Sequence, residues 1–569
     1  MYLQFNSKKG KNGKVYRSVL LCEKYRDGGA PKTRVIMNLS KMPEEVIDAF
    51  RISVGKTKQK LIRLSNIIIK KSIDYGFVFI LINLLDKLRI NEVLNKCYPG
   101  NVSLIKLMII GKIVTRGSKL CILNWIHRNK FIADKLGVNL TDLKVDDLYK
   151  ELGHLSSFQE KIERKWLLYN KSRHQNLFLY DITSTYFEGT QNDLAAFGYN
   201  RDGKKGKLQI TIGLITNNEG FPLKIEVFEG NTSDSTTVKE QLLKLKENYK
   251  AQSLIMVGDR GMRLRMNLEE MSTEEKVGID YISALTHEEI RALLKEEVLQ
   301  LSLFSKELAE IEKDKKRYIL LNNPDLETQQ HETRKQLRDT FELEIGQIRA
   351  FWQKRYEQNQ VNIRRLKNGH KNKKLVTRFS EKKLDSFKYR ATAALKKYRM
   401  SSFYNIKISN DRFDITFDVN KYQQAVSLDG KYVIETTLSK AVMQKEQVRQ
   451  EYKNLQNVEH GFRDLKTEQL EVRPVFHRNE AQTRGHVFIT MFSYAIVKEM
   501  ETKIFPWLKA YNKSHKSQLA FVDIEAELKD IKLCELKIGK NKTELKIPEL
   551  NNIQFDILKL FNIKPGELI

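Results

Sequence analysis

The chain has 569 residues, enough for several domains, and 41% of them are hydrophobic, enough to bury real cores. Lys and Arg number 100 against 71 Asp and Glu, a formal charge of +29. A field of that size attracts a polyanion, nucleic acid before any other. An AT-rich genome also enriches Lys, so charge alone does not decide the partner. Cys22, Cys97, Cys121 and Cys534 form no CxxC pair, which argues against a zinc knuckle and against a disulfide scaffold. The most apolar window, Phe77 to Leu85, is far short of the roughly 20 residues that span a bilayer. Met1 to Phe5 lacks the charged and apolar regions of a signal peptide. The expectation is a soluble, cytoplasmic protein.

In chain order, residues 1–60 read as a small β-rich element. Apolar runs at Val15–Cys22 and Arg34–Leu39 flank Gly28-Gly29, behind the basic turn KKGKNGK at 8–14. Residues 61–172 read as helical, because Phe77, Ile80, Leu81, Leu84, Leu85 and Leu88 recur at three- and four-residue spacing. A Lys/Arg-rich bundle ahead of a catalytic core suits a DNA-end-binding region; a plain structural bundle fits the pattern equally.

Residues 173–285 read as α/β. Four apolar residues, Leu177 to Tyr180, run into Asp181, as in a buried strand that delivers one carboxylate to its end. Leu208–Thr216 and Leu223–Phe228 form a hairpin about the turn Asn217–Gly220. Thr237 and Glu240 have capping-box spacing ahead of Val238 and Leu242. Leu254–Val257 then leads into Gly258-Asp259-Arg260-Gly261, and Tyr281–Leu285 follows as another strand. Three strands, a helix, a strand, a helix and a strand is the order of a ribonuclease-H-like core.

Residues 286–437 read as an insertion: charged helices to about 398, with a basic run from Arg364 to Lys374, then strands at Tyr404–Ile408, Phe413–Val419 and Tyr432–Thr437. Residues 438–505 return to the core. A long helix runs from Ser439 to about Lys466, with Val448, Leu455 and Phe462 seven apart on its buried stripe, and an apolar helix spans Arg484–Met500. The C-terminal region, 506–569, is mixed and is a candidate for dimerisation.

Asp181, Asp259 and Glu459 are the candidate catalytic and metal-binding residues. Hard divalent cations take carboxylate oxygens, and three neighbouring carboxylates repel unless cations neutralise them. Tyr452, Glu459 and Lys466 lie seven apart, hence on one helix face, with Arg463 four beyond Glu459. Tyr452, Arg463, Lys466 and Arg260 are candidate phosphate contacts. Gly461, within this helix, suggests a close approach of backbone or DNA. Each acid alone has an ordinary reading: a turn residue, a helix start, or an i,i+4 ion pair of Glu459 with Arg463. Together, in this strand and helix context, they point to one site. Asp202 and Asp234 read as loop and cap residues, and His477 and His486 as exposed or core histidines rather than a metal pair.

At YDITSTYFEG, GNTSDSTT, VGDRGM and YKNLQNVEHGFRDLK, followed by RPVFHR, the chain resembles DDE transposases of bacterial insertion sequences, in the IS-four-like group. The group's signature is Tyr, two residues, Arg, three residues, Glu, six residues, Lys. Tyr452, Glu459 and Lys466 fit it, whereas Leu455 stands at the Arg position. The resemblance implies a ribonuclease-H-like fold and two Mg²⁺ ions, with Mn²⁺ as substitute, on Asp181, Asp259 and Glu459. It implies double-stranded DNA as partner, recognition of terminal inverted repeats, 3′-end nicking, strand transfer into target DNA, a homodimer bridging two ends, and a nucleoid-associated location. Some relatives stack an insertion-domain aromatic on a flipped base; Trp352 is a conceivable counterpart, though a helix-packing role suits it better. The rival readings are a nuclease without strand transfer and a DNA-binding relic, the latter disfavoured by the intact acids. No RNP aromatic motif or KH loop supports RNA binding.

Overall fold

An eight-stranded sheet carries the candidate acids. The computed structural model describes residues 1–9, 15–55, 67–174, 176–189, 191–199, 203–204, 206–232, 254–260, 279–306, 308–369, 375–468, 470–473, 475–538 and 542–569. Asp202, Asp234, the capping box at Thr237 and Glu240, the tip of the 8–14 turn and the end of the 364–374 basic run lie outside them. The chain divides into two units, one of Met1–Lys87 with Met500–Ile569, the other of Leu88–Glu499.

The first unit opens with a three-stranded antiparallel sheet, β1 (Tyr2–Lys9), β2 (Val15–Asp27) and β3 (Ala30–Asn38). Residues 67–74, expected as part of a helical region, form strand β4 (Ile67–Asp74) instead. The β-branched run Ile67-Ile68-Ile69 disfavours helix. Its partner, the strand Lys532–Ile538, lies at the far end of the chain, where no local pattern announces it. That strand also pairs with Lys542–Lys546, so the C-terminal region completes a sheet begun before residue 75. Gly76 and Tyr75 both donate to the Ile531 carbonyl, at 2.9 and 3.1 Å. A Cβ on Gly76 would stand 2.5 Å from the Ile531 side chain.

The second unit holds the large sheet. Its strands are β5 (Leu177–Tyr186), β6 (Gln209–Thr216), β7 (Pro222–Glu229), β8 (Leu254–Gly258), β9 (Ile279–Ala284), β10 (Leu308–Lys313), β11 (Lys316–Asn322) and β14 (Lys431–Thr436). Their order is β10-β11-β14-β9-β8-β5-β6-β7. The segment β7-β6-β5-β8-β9, with β5 antiparallel to β6 and parallel to β8, is the ribonuclease-H-like core. Almost every residue of β5 and β6 is buried, as near-continuous apolar runs require.

Expected inside an insertion spanning 286–437, β10, β11 and β14 instead extend this sheet. β11 pairs β14, and β14 pairs β9 through Ile434 and Ala284. What leaves the sheet runs from Asn323 to Gly430. Helices before and after it also pack on the core: α1 (Val102–Thr115), α2 (Lys119–Arg128) and α3 (Gln159–Tyr169) precede β5. On α3, Trp166 stacks on Phe221 and donates to the Pro222 carbonyl at 3.1 Å, fixing α3 against β7.

The excursion consists of α4 (Pro324–Lys367), α5 (Glu381–Lys397), the hairpin β12 (Tyr404–Ile408) with β13 (Phe413–Phe417), and the short helix Val419–Val426. Asn323 caps α4 and its N–H meets the Gly430 carbonyl at 2.9 Å, so exit and return share one point on the sheet. Arg334 forms a bidentate ion pair with buried Asp429 there. The excursion has its own apolar core. Trp352 lies in it, 6% exposed, parallel to Tyr356 at 5.1 Å, against Phe379 and Phe413, and bonded to the Ser409 carbonyl at 3.2 Å. Trp352→Ala is expected to cost about 3–5 kcal/mol in this cluster. Thermal denaturation and limited proteolysis of 324–430 would report it; an unchanged melting profile would contradict a packing role.

The candidate active site

The last core elements are α6 (Lys445–Arg463), whose final turn loosens into π geometry over Asp464–Glu468, and α7 (Glu480–His515), of which the part to Glu499 lies in this unit. Helix α6 lies across the sheet, touching β10, β14, β9, β8, β5 and β6. Val448, Leu455, Val458 and Phe462 are its buried stripe. Leu455 is thus a core residue, and an arginine there would bury its charge against the sheet.

Asp181 lies within β5, which runs on to Tyr186 instead of ending at the acid because Thr183, Ser184 and Thr185 keep pairing with β6, and Asp259 follows the end of β8 at Gly258. β5 and β8 are adjacent and parallel, with Leu179 opposite Val257. Each aspartate follows its member of that pair by two residues, which sets the two backbones at similar heights along the sheet. Neighbouring strands are about 4.8 Å apart. Ser283 on β9 donates its hydroxyl to the Asp259 carbonyl at 3.0 Å, holding the chain where β8 ends. Asp181 is half-buried and Asp259 is exposed.

Helix α6 meets both strand ends with one flank. Burial pushes the Tyr452 phenol up, and its neighbours are Arg260, which hydrogen-bonds to it, and the Asp259 carboxylate. At the other end Lys466 donates to Thr183 Oγ1 at 2.6 Å and to the Ser184 carbonyl. Thr183 shares a face with Asp181. Between these anchors, and exposed, stands Glu459. It lies about 10 Å along the helix from Tyr452. Arg463 is exposed on the same stretch.

The opposite flank of α6 holds the helix in place. Asn457 donates to the Asn218 carbonyl at 2.7 Å. Gly461 faces Tyr494 of α7, whose hydroxyl bonds to the Gly220 carbonyl at 3.1 Å. A Cβ at Gly461 would stand 2.7 Å from that hydroxyl. The close approach expected at Gly461 is therefore made by Tyr494, and the turn Asn217–Gly220 is the point all three share.

The structure thus sets the backbones of Asp181 and Asp259 at similar heights, and joins Tyr452 with Arg260 and Lys466 with the Asp181 strand. Glu459 is on the same flank but apart from the aspartates: among the described residues, no three His, Cys, Asp or Glu side chains stand as one metal-holding group. The donor chemistry nonetheless fits a hard divalent cation, since two matched carboxylates at a strand edge and a third on the facing helix offer only oxygens. His477 and His486 do meet, their rings 4.7 Å apart, but burial and Lys119 hold both below the usual imidazole range, His477 at about 3. They are neutral residues in the wall of a basic cavity. That cavity, formed with Lys112 and Lys119, escaped the sequence reading. Its visible signals are Lys112 and Lys119, two of the cations that interrupt the largely apolar stretch 102–126, and the segment RPVFHR.

The sheet has the ribonuclease-H-like order, with Asp181 within β5, Asp259 just past β8 and a cation-bearing helix across them. Residues 173–496 match the Transposase DDE domain family, and residues 3–63 match the IS1634 family transposase N-terminal domain. The chain belongs to the DDE transposases, enzymes of DNA strand cleavage and strand transfer that use divalent metal ions. Among solved structures it is similar to a piggyBac transposase synaptic complex with hairpin DNA, at 8% identity and a TM-score of 0.30, covering 80% of this chain and 69% of that one. A likeness so distant supports no argument. No curated protein matches the chain. Among the described residues no helix is long and apolar enough to cross a membrane.

Gly461→Ala is expected to push Tyr494 from the 217–220 turn and to cost about 1–3 kcal/mol. A lowered melting temperature with slowed strand cleavage would follow; an unaltered melting temperature would rule out this packing.

Proposed function

We propose that Asp181, Asp259 and Glu459 are the DDE acids of a cut-and-paste transposase, and that they bind two Mg²⁺ ions, replaceable by Mn²⁺. The observation that supports this is the register of the adjacent parallel strands β5 and β8, which sets Asp181 and Asp259 each two residues past a paired position, with α6, the helix of Glu459, packed across both strands. Bound there, two such cations activate the attacking hydroxyl and stabilise the leaving oxygen. Glu459 closes on the aspartates when cations and DNA neutralise the three charges. Tyr452 orients Arg260, whose guanidinium takes a phosphate oxygen beside Asp259. Lys466, held by Thr183 and the Ser184 carbonyl, places its positive charge beside the strand that carries Asp181. Arg463 meets the backbone further along the same flank.

The substrate is double-stranded DNA, the element's terminal inverted repeats and then its target. The basic N-terminal β element and the helices before β5 bind the ends, and a homodimer holds two of them. The IS-four-like signature is kept at Tyr452, Glu459 and Lys466. The protein works in the bacterial cytoplasm at the nucleoid.

Excision of a marker flanked by the gene's own bordering DNA tests this reading. Asp259→Ala should lose cleavage by about three orders of magnitude or more, yet bind end DNA like the wild type in a mobility-shift assay. Cleavage at the wild-type level by this variant would overturn the assignment. Tyr452→Phe, which loses the bond to Arg260, should slow cleavage about fivefold. Affinity for DNA should fall steeply between 50 and 200 mM salt, on the order of 10³-fold; a flat response would contradict backbone binding.

A further inference from the structure

A cavity of about 760 Å³ opens where α1 meets α2 and where the chain runs from the end of α6 to α7. Its lining includes five cationic side chains, Lys112, Arg116, Lys119, Arg473 and Arg478, against two acidic ones, Asp146 and Glu471. Two of the lysines are inside the protein: Lys112 and Lys119 are each 3% exposed. Lys112 donates to the Glu471 carbonyl and Lys119 to His486 Nδ1, both at 3.2 Å. Neither bond supplies a negative charge. Glu471 offsets part of the charge of Lys112, whereas the charge beside Lys119 is the like charge of Lys112; burying an ammonium on those terms is costly, so a fold that buries two around a roomy cavity has a reason to do so. The first turn of α2 opens into the same space through Ser118 and Lys119, adding the partial positive charge of a helix start.

The cavity is separate from the carboxylates. Val475 pairs with Phe187, just past the end of β5. Phe187 lies six residues beyond Asp181, about 20 Å along an extended strand. The cavity-lining residues Phe476, His477 and Arg478 follow Val475 directly. Lys466 stands on the same path, joined to β5 at Thr183. The connection from Lys466 to Arg478 therefore touches β5 at Thr183 and Phe187 on its way from the acids to this cavity, within one unit.

We propose that the cavity is a phosphate-binding site for the DNA strand, remote from the cleavage centre, which anchors a backbone phosphate of the strand that the acids cut. The proposal rests on the transposase reading. An anion there adds the negative charge that Lys119 and the excess of cations over acids call for. Burial holds Lys119 down to about 7, with Lys112 adding to the effect, and burial holds Lys112 down to about 8. The neighbouring groups are Asp146 and Tyr149 from the helix Val145–Ser156, Arg116 from the end of α1, and Glu471, Arg473, His477 and Arg478 from the connection to α7, where His486 lies. A bound phosphate favours the charged lysines, so binding at pH 8 takes up protons, and affinity falls as pH rises from 7 to 9.

The first probe is inorganic phosphate, titrated into the full-length protein at constant ionic strength with chloride as control and followed by phosphorus NMR and calorimetry. The second is single-stranded oligothymidylate as competitor. Phosphate should bind with proton uptake at pH 8, and oligothymidylate should displace it. Arg478→Gln, an exposed position, and Lys119→Met should each weaken phosphate binding about tenfold or more. Arg478→Gln keeps the test valid if Lys119→Met does not fold. Phosphate binding that oligothymidylate leaves untouched would mean a site for a free phosphate, and would overturn the DNA assignment. No response to phosphate beyond that to chloride would overturn the site itself. Asp259→Ala should bind both probes as the wild type does. Normal phosphate binding and displacement with no cleavage of any DNA by the wild type would fail the transposase reading and leave this site standing.

Discussion

The contact on which the site depends is the buried stripe of α6 against the large sheet. Val448, Leu455, Val458 and Phe462 leave the helix one rotational setting. Any turn about its axis that moved Glu459 would also lift this stripe into water, at about 25 cal/mol for each Å² exposed. With the stripe down, one flank must face the ends of β5 and β8, and the other must face the turn Asn217–Gly220. Gly461 and Tyr494 lock the second flank, and Tyr452 and Lys466 tie down the first. The position of Glu459 follows from apolar packing rather than from any attraction between like-charged acids.

The excursion between β11 and β14 adds a constraint of its own. Because β10, β11 and β14 extend the sheet, the chain returns from Gly430 already in register with β9. Arg317 on β11, 2% exposed and paired with Glu310 at 2.6 Å, donates to the carbonyls of Leu438 and Met443 at 2.7 and 2.9 Å. These carbonyls lie in the connection that launches α6. The sheet thereby sets where the third acid's helix begins, while the outlying helices and hairpin keep a separate core around Trp352.

Charge is distributed along the same architecture. Exposed surface cations are cheap to hold, whereas Lys112, Lys119 and the half-buried Lys466 are each held by named backbone or side-chain acceptors. Part of the basic character evident in the composition is therefore held inside the fold, at Lys112 and Lys119 in the cavity wall and at Lys466 beside β5.

Much of this was legible in one dimension. The apolar runs leading into Asp181 and Asp259 announce buried strands, and helical spacing places Tyr452 and Glu459 on one face, because strand and helix periods are local properties of the backbone; that β5 would run past Asp181 to Tyr186 was not legible, since pairing with β6 carries it on. The hairpin about Asn217–Gly220 was legible for the same reason. Strand partnership was not. β4 pairs with residues 532–538, and β14 with β9 across more than a hundred residues, since hydrogen bonds between strands leave no mark on the intervening sequence. Gly461 signalled a close approach, but only the fold could name Tyr494. Lys112 and Lys119, within a largely apolar stretch, acquire meaning only when α1, α2 and the segment after α6 enclose one cavity. Sequence by itself determined the chemistry and its spacing along each element; tertiary structure decided which elements meet, because burial of distant surfaces, not local propensity, selects among the pairings that the local pattern allows.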